Sequence, residues 1–196
     1  MKRFAVAFIG AILVVLLAGW AMAQEIEELK KRADGGDVEA MYTLALRYDF
    51  GRGVTPDKAL AAQWYQKASE QGHVKAMYNL GVSYHLGEGV PANQEMATHW
   101  FKQAAEKGLA DAQFNLGVRY DEGKGIPMDK DQAAVWYRKA AEQDHSKAAF
   151  NLGISYYTGE GVPVDKKQAR YWLQKAAEKG LEAAQEALRT MDKSGE

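Results

Sequence analysis

Four stretches of this sequence have the outline of a phosphate loop running into a helix: GRGVTPDK from Gly51, GEGVPANQ from Gly87, GKGIPMDK from Gly123 and GEGVPVDK from Gly159. Backbone amides of such a turn can cradle phosphate oxygens, with a lysine and a hydroxyl completing the site. None runs on into Gly-Lys-Ser/Thr, and each joins two helix-like stretches rather than a strand to a helix, so nucleotide binding is not what they encode. The four histidines, His73, His85, His99 and His145, include no HExxH and no paired-ligand spacing. His73 and His145 share a repeat position two units apart, and all four read as ordinary surface or loop residues. Ser83 and Ser155 lack the GxSxG turn that exposes a nucleophilic serine. Asp121-Glu122 and Asp129…Asp131 bring carboxylates close, yet among 26 acidic residues such neighbours follow from solubility alone. No cysteine is present, which excludes disulfides, thiol nucleophiles and thiolate metal sites. The residues therefore predict no enzyme, no metal and no cofactor.

Binding chemistry is better represented. Asn79, Asn115 and Asn151 recur at one position, with Thr43 in the first unit; one helical turn on stand Arg47, Ser83, Arg119 and Ser155. On one helix face these make two polar ladders, a candidate partner-binding groove. Amides can bond an extended peptide backbone, and guanidiniums can pair with a carboxylate. A recurring asparagine can equally bond a neighbouring helix and set the stacking angle. Both readings stand at this point.

The elements that must position these residues follow from a strict 36-residue period. Alanine recurs at 40, 76, 112, 148 and 184, leucine at 44, 80, 116, 152 and 188, tyrosine at 48, 84, 120 and 156, and tryptophan at 64, 100, 136 and 172. Each unit resolves into two helices, here called A and B. Ala112, Leu116 and Tyr120 share a face of helix A, and Ala133, Trp136 and Ala140 share one of helix B. The repeated tryptophan reads as a buried packing anchor. The glycine pairs end helix A and make the turn, while Asp57, Asn93, Asp129 and Asp165 stand where helix B needs an N-cap. Glycines 72, 108 and 180 close helix B, with Asp144 in their place once. Gly81, Gly117 and Gly153 interrupt helix A, a propensity cost of ~1 kcal/mol each that implies close helix approach.

Units 37–72, 73–108, 109–144 and 145–180 are flanked by partial units at 25–33 and 181–192. These carry Glu28, Arg32, Arg189 and Asp192 where stacking residues belong, as capping helices would. Residues 24–196 are therefore expected to form an all-α, right-handed α-solenoid of stacked antiparallel helix pairs with 36-residue repeats.

Residues 1–23 have a basic start, an apolar run and Ala21-Met22-Ala23, the pattern of a secretory signal peptide cleaved after Ala23. Retained, residues 4–23 are long enough to anchor the chain in a membrane. The remaining residues carry 23 Lys plus Arg against 26 Asp plus Glu, which gives no electrostatic reason to bind nucleic acid or an anionic membrane.

The run Ala112-x3-Leu116-Gly117-x2-Tyr120-x2-Gly123-x-Gly125-Ile126-Pro127-x-Asp129, then Ala133-x2-Trp136-Tyr137-x-Lys139-Ala140-Ala141-Glu142, closely resembles the Sel-one-like repeat family, a tetratricopeptide-related group. The resemblance covers residues 37–188. It implies a non-catalytic scaffold or adaptor whose inner surface grips a protein or peptide, and a periplasmic or secreted bacterial location. An inner-membrane-tethered scaffold and an enzyme or small-molecule binder using the groove are the alternatives. Relatives suggested to bind penicillin-like compounds are cysteine-rich, unlike this chain.

Overall fold

The computed structural model describes residues 20–193, and the regular structure among them is entirely helical. Helix α1 runs through 20–34 and is followed by α2 (Val38–Phe50), α3 (Lys58–Glu70), α4 (Val74–Leu86), α5 (Gln94–Glu106), α6 (Ala110–Glu122), α7 (Lys130–Ala141), α8 (Ser146–Thr158), α9 (Lys166–Glu178) and α10 (Glu182–Lys193). They build an all-α solenoid of stacked antiparallel helix pairs at 36-residue spacing. The expected signal segment lies outside the described residues except for 20–23, which are helical. Among the described residues no helix is long and apolar enough to cross a membrane.

The chain divides into two compact units. One holds residues 20–76 and Glu88–Val90 of those described; the other holds Met77–Gly87 and the residues from Pro91 onward. In the first, α2 pairs with α3. In the second, α6 pairs with α7 and α8 with α9, while α5 packs on α6, α7 on α8 and α10 on α9.

Local chemistry starts the B helices as the sequence predicts. Asp57, Asn93, Asp129 and Asp165 each accept an amide hydrogen bond from the first turn of a B helix. Leucines 44, 80, 116 and 152 are fully buried on the A helices. Asp144 takes φ +62°, the one positive φ outside glycine among the described residues, and its carboxylate meets Lys179 Nζ at 3.1 Å.

The tryptophan position is buried as expected in three repeats, but it is not the deepest of its helix. Trp64, Trp136 and Trp172 are buried and Trp100 half-buried, but the adjacent Tyr65, Phe101, Tyr137 and Leu173 are buried deeper, to 2% exposure or less. The reason is geometric. These side chains lie over the small residues of the partner A helix, whereas the tryptophans sit further out, with Lys67 and Lys139 Nζ at 4.0 and 3.8 Å over the rings of Trp64 and Trp136. A Cβ on Gly117 would lie 2.6 Å from Tyr137 Cδ1, which confirms the close approach expected of the mid-helix glycines.

Gly125 shows the tightest constraint on a turn. Its φ is +67°, and a Cβ there would lie 2.2 Å from the Gln94 carbonyl oxygen, so the loop after α6 rests directly on the first turn of α5. Gly125→Ala is expected to destabilise the chain by ~3 kcal/mol or more, because backbone must move as well as strain. Gly108→Ala, at φ +92° with no atom within 4 Å of the new Cβ, is expected to cost only ~1 kcal/mol. Urea unfolding of the two variants checks the ordering.

Candidate functional site

On the A-helix side of the second unit, α4, α6 and the start of α8 enclose a cleft of about 590 Å³. Tyr78 comes from α4, Asp111, Phe114 and Asn115 from α6, and Asp144 to Lys147 from the turn into α8. These residues share one side because positions three and four apart along a helix stack above one another.

The asparagine ladder divides by role. Asn115 Nδ2 donates to the Asp111 carbonyl at 2.8 Å and reaches the Tyr78 hydroxyl at 3.5 Å. Both amide protons are thus engaged, while among the described residues no donor reaches Asn115 Oδ1. An N–H brought by another molecule can fill that acceptor. Asn151, at the same position in the next repeat, is half-buried and lies near the Tyr137 hydroxyl. Asn79, Ser83 and Ser155 are half-buried on the same unit, and the backbone carbonyls of Ser83 and Ser155 accept from Gly87 and Gly159 as each A helix ends.

The arginines do not open into this cleft. Arg119 is 4% exposed. Its Nη1 donates to Gln94 Oε1 at 2.7 Å, and its guanidinium carbon lies 5.2 Å from the Phe101 ring centre. Burial lowers its pKa from the ordinary arginine range, against the opposing pull of Glu122. In the first unit Arg47 pairs with Glu25 and reaches the Arg52 carbonyl at 3.4 Å. Thr43 of that unit borders a separate cleft of about 440 Å³ with Glu25, Glu28, Leu29, Arg32, Glu39 and Ala40.

Two further groupings escaped sequence reasoning. Lys130 Nζ bridges Asp121 at 2.7 Å and Glu160 at 3.2 Å, while the Tyr137 hydroxyl donates to Asp121 at 3.3 Å. The first unit repeats this with Lys58, Asp49, Glu88 and Tyr65. The bond to Asp121, then that to Glu160, raises the pKa of Lys130. His73 and His145, expected as ordinary loop residues, instead cap helices through Nδ1, at 3.1 Å from the Ala76 and Ala148 amides. The available signal was a 72-residue spacing that His73/His145 share with Arg47/Arg119, Asp49/Asp121, Lys58/Lys130 and Tyr65/Tyr137. Among the described residues no group of three or more histidine, aspartate or glutamate side chains is placed to hold a metal ion.

The Sel1 repeat profile matches residues 38–73, 74–109, 110–145 and 146–181. A solved structure of a protective antigen present in uropathogenic Escherichia coli strains, displaying an SLR fold, is 42% identical with a TM-score of 0.84, over 87% of this chain and 36% of that one. A Sel1 repeat protein from Oxalobacter formigenes is 39% identical with a TM-score of 0.79, over 86% of this chain and 49% of that one. Helicobacter pylori cysteine rich protein B is 28% identical with a TM-score of 0.53, over 68% of this chain and 96% of that one. This chain therefore spans less than half the length of the first two. No curated protein sequence matches it.

Burial is the first cause that lifts the Tyr137 phenol well above its ordinary value of 10.0. The folded chain keeps that proton longer than the unfolded one, so the resulting contribution is full below pH 10 and is lost as pH rises beyond it. Tyr137→Phe is expected to cost ~1 kcal/mol at neutral pH through the lost hydroxyl bonds. It should also flatten the alkaline fall in unfolding free energy; an unchanged slope above pH ~10 would contradict this account of the site.

Proposed function

The chain belongs to the Sel1 repeat family, and we propose that it is a non-catalytic scaffold that holds an extended peptide segment of a protein partner. The docking surface is the A-helix face of the second unit, where Asn79, Asn115, Asn151, Ser83 and Ser155 lie, with Asn115 at its centre. Arg119 supports that face from beneath through Gln94 and Phe101. Thr43 and Arg47 belong to the equivalent face of the first unit. The observation that carries this reading is the cleft that Asn115 lines together with Tyr78 and Phe114, the asparagine's acceptor oxygen receiving no donor among the described residues. A peptide backbone supplies N–H groups at regular intervals, and an apolar side chain has aromatic surface to rest on. Packed repeats present this surface already formed, which lowers the ordering cost of docking.

We further propose that residues 1–23 direct export and are removed, which places the scaffold in the periplasm or outside the cell. The basic start, the apolar run and Ala21-Met22-Ala23 support this reading.

Peptides selected from a random display library on the purified protein are expected to lose about tenfold or more in affinity on Asn115→Ala, one well-placed polar contact being worth that much. Arg119→Met, a buried replacement of similar volume, is expected to leave their affinity within about twofold. Unchanged binding by Asn115→Ala would remove the cleft from the docking surface. The mature amino terminus, read by Edman degradation or mass spectrometry, is expected at Gln24; Met1 would show that the leader is retained.

A further inference from the structure

His145 stands immediately before α8 and makes three contacts with one ring. Nδ1 accepts the Ala148 amide at 3.1 Å, the ring stacks on Phe114 of α6 with centroids 4.7 Å apart and 24° between planes, and Nε2 lies 3.4 Å from Asp111 Oδ1. The same device is built in the first unit from different side chains. There His73 Nδ1 accepts the Ala76 amide at 3.1 Å, the ring stacks on Tyr42 of α2 at 4.2 Å and 26°, and Nε2 lies 3.2 Å from Glu39 Oε2. Each ring therefore ties the start of one A helix to the A helix of the preceding repeat. Leu109, at the equivalent position before α6, supplies no side-chain cap.

Only one protonation state fits this geometry. A neutral imidazole carrying its proton on Nε2 can donate to the carboxylate while its Nδ1 lone pair accepts the amide. A second proton would place Nδ1–H against the amide N–H, donor facing donor, and the cap would be lost. We propose that His145 is a proton-operated latch between consecutive repeats, closed while the imidazole is neutral and released when it becomes charged. The proposal does not depend on the peptide-docking reading, since it concerns the tie between repeats whatever the cleft holds.

The groups facing His145 decide the balance. Asp111 on α6 favours the charged ring, but it is 61% exposed and its attraction is screened by water. Lys147 on α8 disfavours it. Asp144, in the turn before α8, is already paired with Lys179 of α9, and the Tyr78 hydroxyl of α4 carries no charge at neutral pH. Burial is the largest influence and depresses the pKa of His145 below its ordinary 6.5. Around His73, Glu39 on α2 is 73% exposed and Lys75 stands on its own helix α4. For His145 the unfolded chain binds the proton more readily than the folded one. Its contribution is thus full above pH 6.5 and drains away below it, as pH falls through the lower folded pKa.

Hydrogen exchange on the intact protein at about pH 7.5 and about pH 5.5, corrected for intrinsic rates, tests this directly. The Ala148 amide is expected to lose about fivefold in protection at the lower pH, the scale of a lost N-cap. Gln113, whose amide bonds the Leu109 carbonyl at the start of α6, is expected to keep its protection. His145→Asn supplies an N-cap that does not titrate, and it should hold Ala148 equally protected at both values. Equal protection of Ala148 in the natural protein at the two pH values would overturn the proposal. So would a pH-dependent loss that persists in His145→Asn. Should that variant fail to fold, NMR titration of the His145 ring decides: a midpoint below 6.5 supports the latch and one above it sinks it.

Discussion

Backbone packed directly against backbone is the constraint on which this structure depends. Where Gly125 meets the Gln94 carbonyl, and where Gly89 and Gly161 meet those of Lys58 and Lys130, even a methyl group would lie about 2 Å from an oxygen atom. Each contact seats the loop after an A helix on the first turn of the preceding B helix. The seating places Asn93, Asp129 or Asp165 at the next B-helix terminus, where its side chain satisfies an otherwise orphan amide. Within each pair the same economy of volume operates: Gly117 receives Tyr137 and Gly153 receives Leu173. Small residues thus set the helix spacing, and the large residues fill what the spacing leaves.

That division leaves part of each A helix unburied. In α6, Ala112, Leu116 and Gly117 are committed to the interior, while Asp111 and Asn115 turn the other way. A half-buried asparagine with both protons engaged and its oxygen open has chemistry suited to recognition. Asn151, at the same repeat position, lies near the Tyr137 hydroxyl instead, so the surroundings of this repeat position differ from one unit to the next. Arg119 illustrates the opposite case. A residue type suited to gripping carboxylates is folded over Phe101 and satisfied by an amide, so its charge supports the structure beneath the surface.

Superimposed on the 36-residue period is a second one of 72. Tyr, Asp, Lys and a glutamate from the following loop recur as a group in alternate repeats, as do the two capping histidines and the acids they face. They join consecutive repeats alongside others such as Arg119–Gln94 and Gln143–Gln113. Phe101 and Leu173 replace the tyrosine in the other repeats, which leaves no hydroxyl for an aspartate to hold. His85 and Tyr157 stand where that aspartate would be. The alternation holds at the positions of Arg47, Asp49, Tyr65 and His73, while at that of Lys58 the fourth repeat keeps a lysine, Lys166.

Much of the fold was legible in the residues because it rests on short-range rules. Periodic alanines and leucines mark the buried faces, an Asp or Asn four residues after the second loop glycine marks a B-helix start, and glycine marks the points of positive φ, with Asp144 the exception anticipated at such a site. What the amino acids could not disclose by themselves was which side chain lies across from which. Tyr137 and Trp136 are adjacent large aromatics, and only the packing angle shows that the tyrosine goes deeper. His145 and Phe114 are separated by a whole hairpin, and only the stacking of consecutive repeats brings their rings within 4.7 Å. Sequence determines what each helix can bury and where it ends, since those depend on neighbours along the chain. Tertiary structure decides whether a polar residue is exposed, capped or covered, because that depends on groups far away in sequence but adjacent in space.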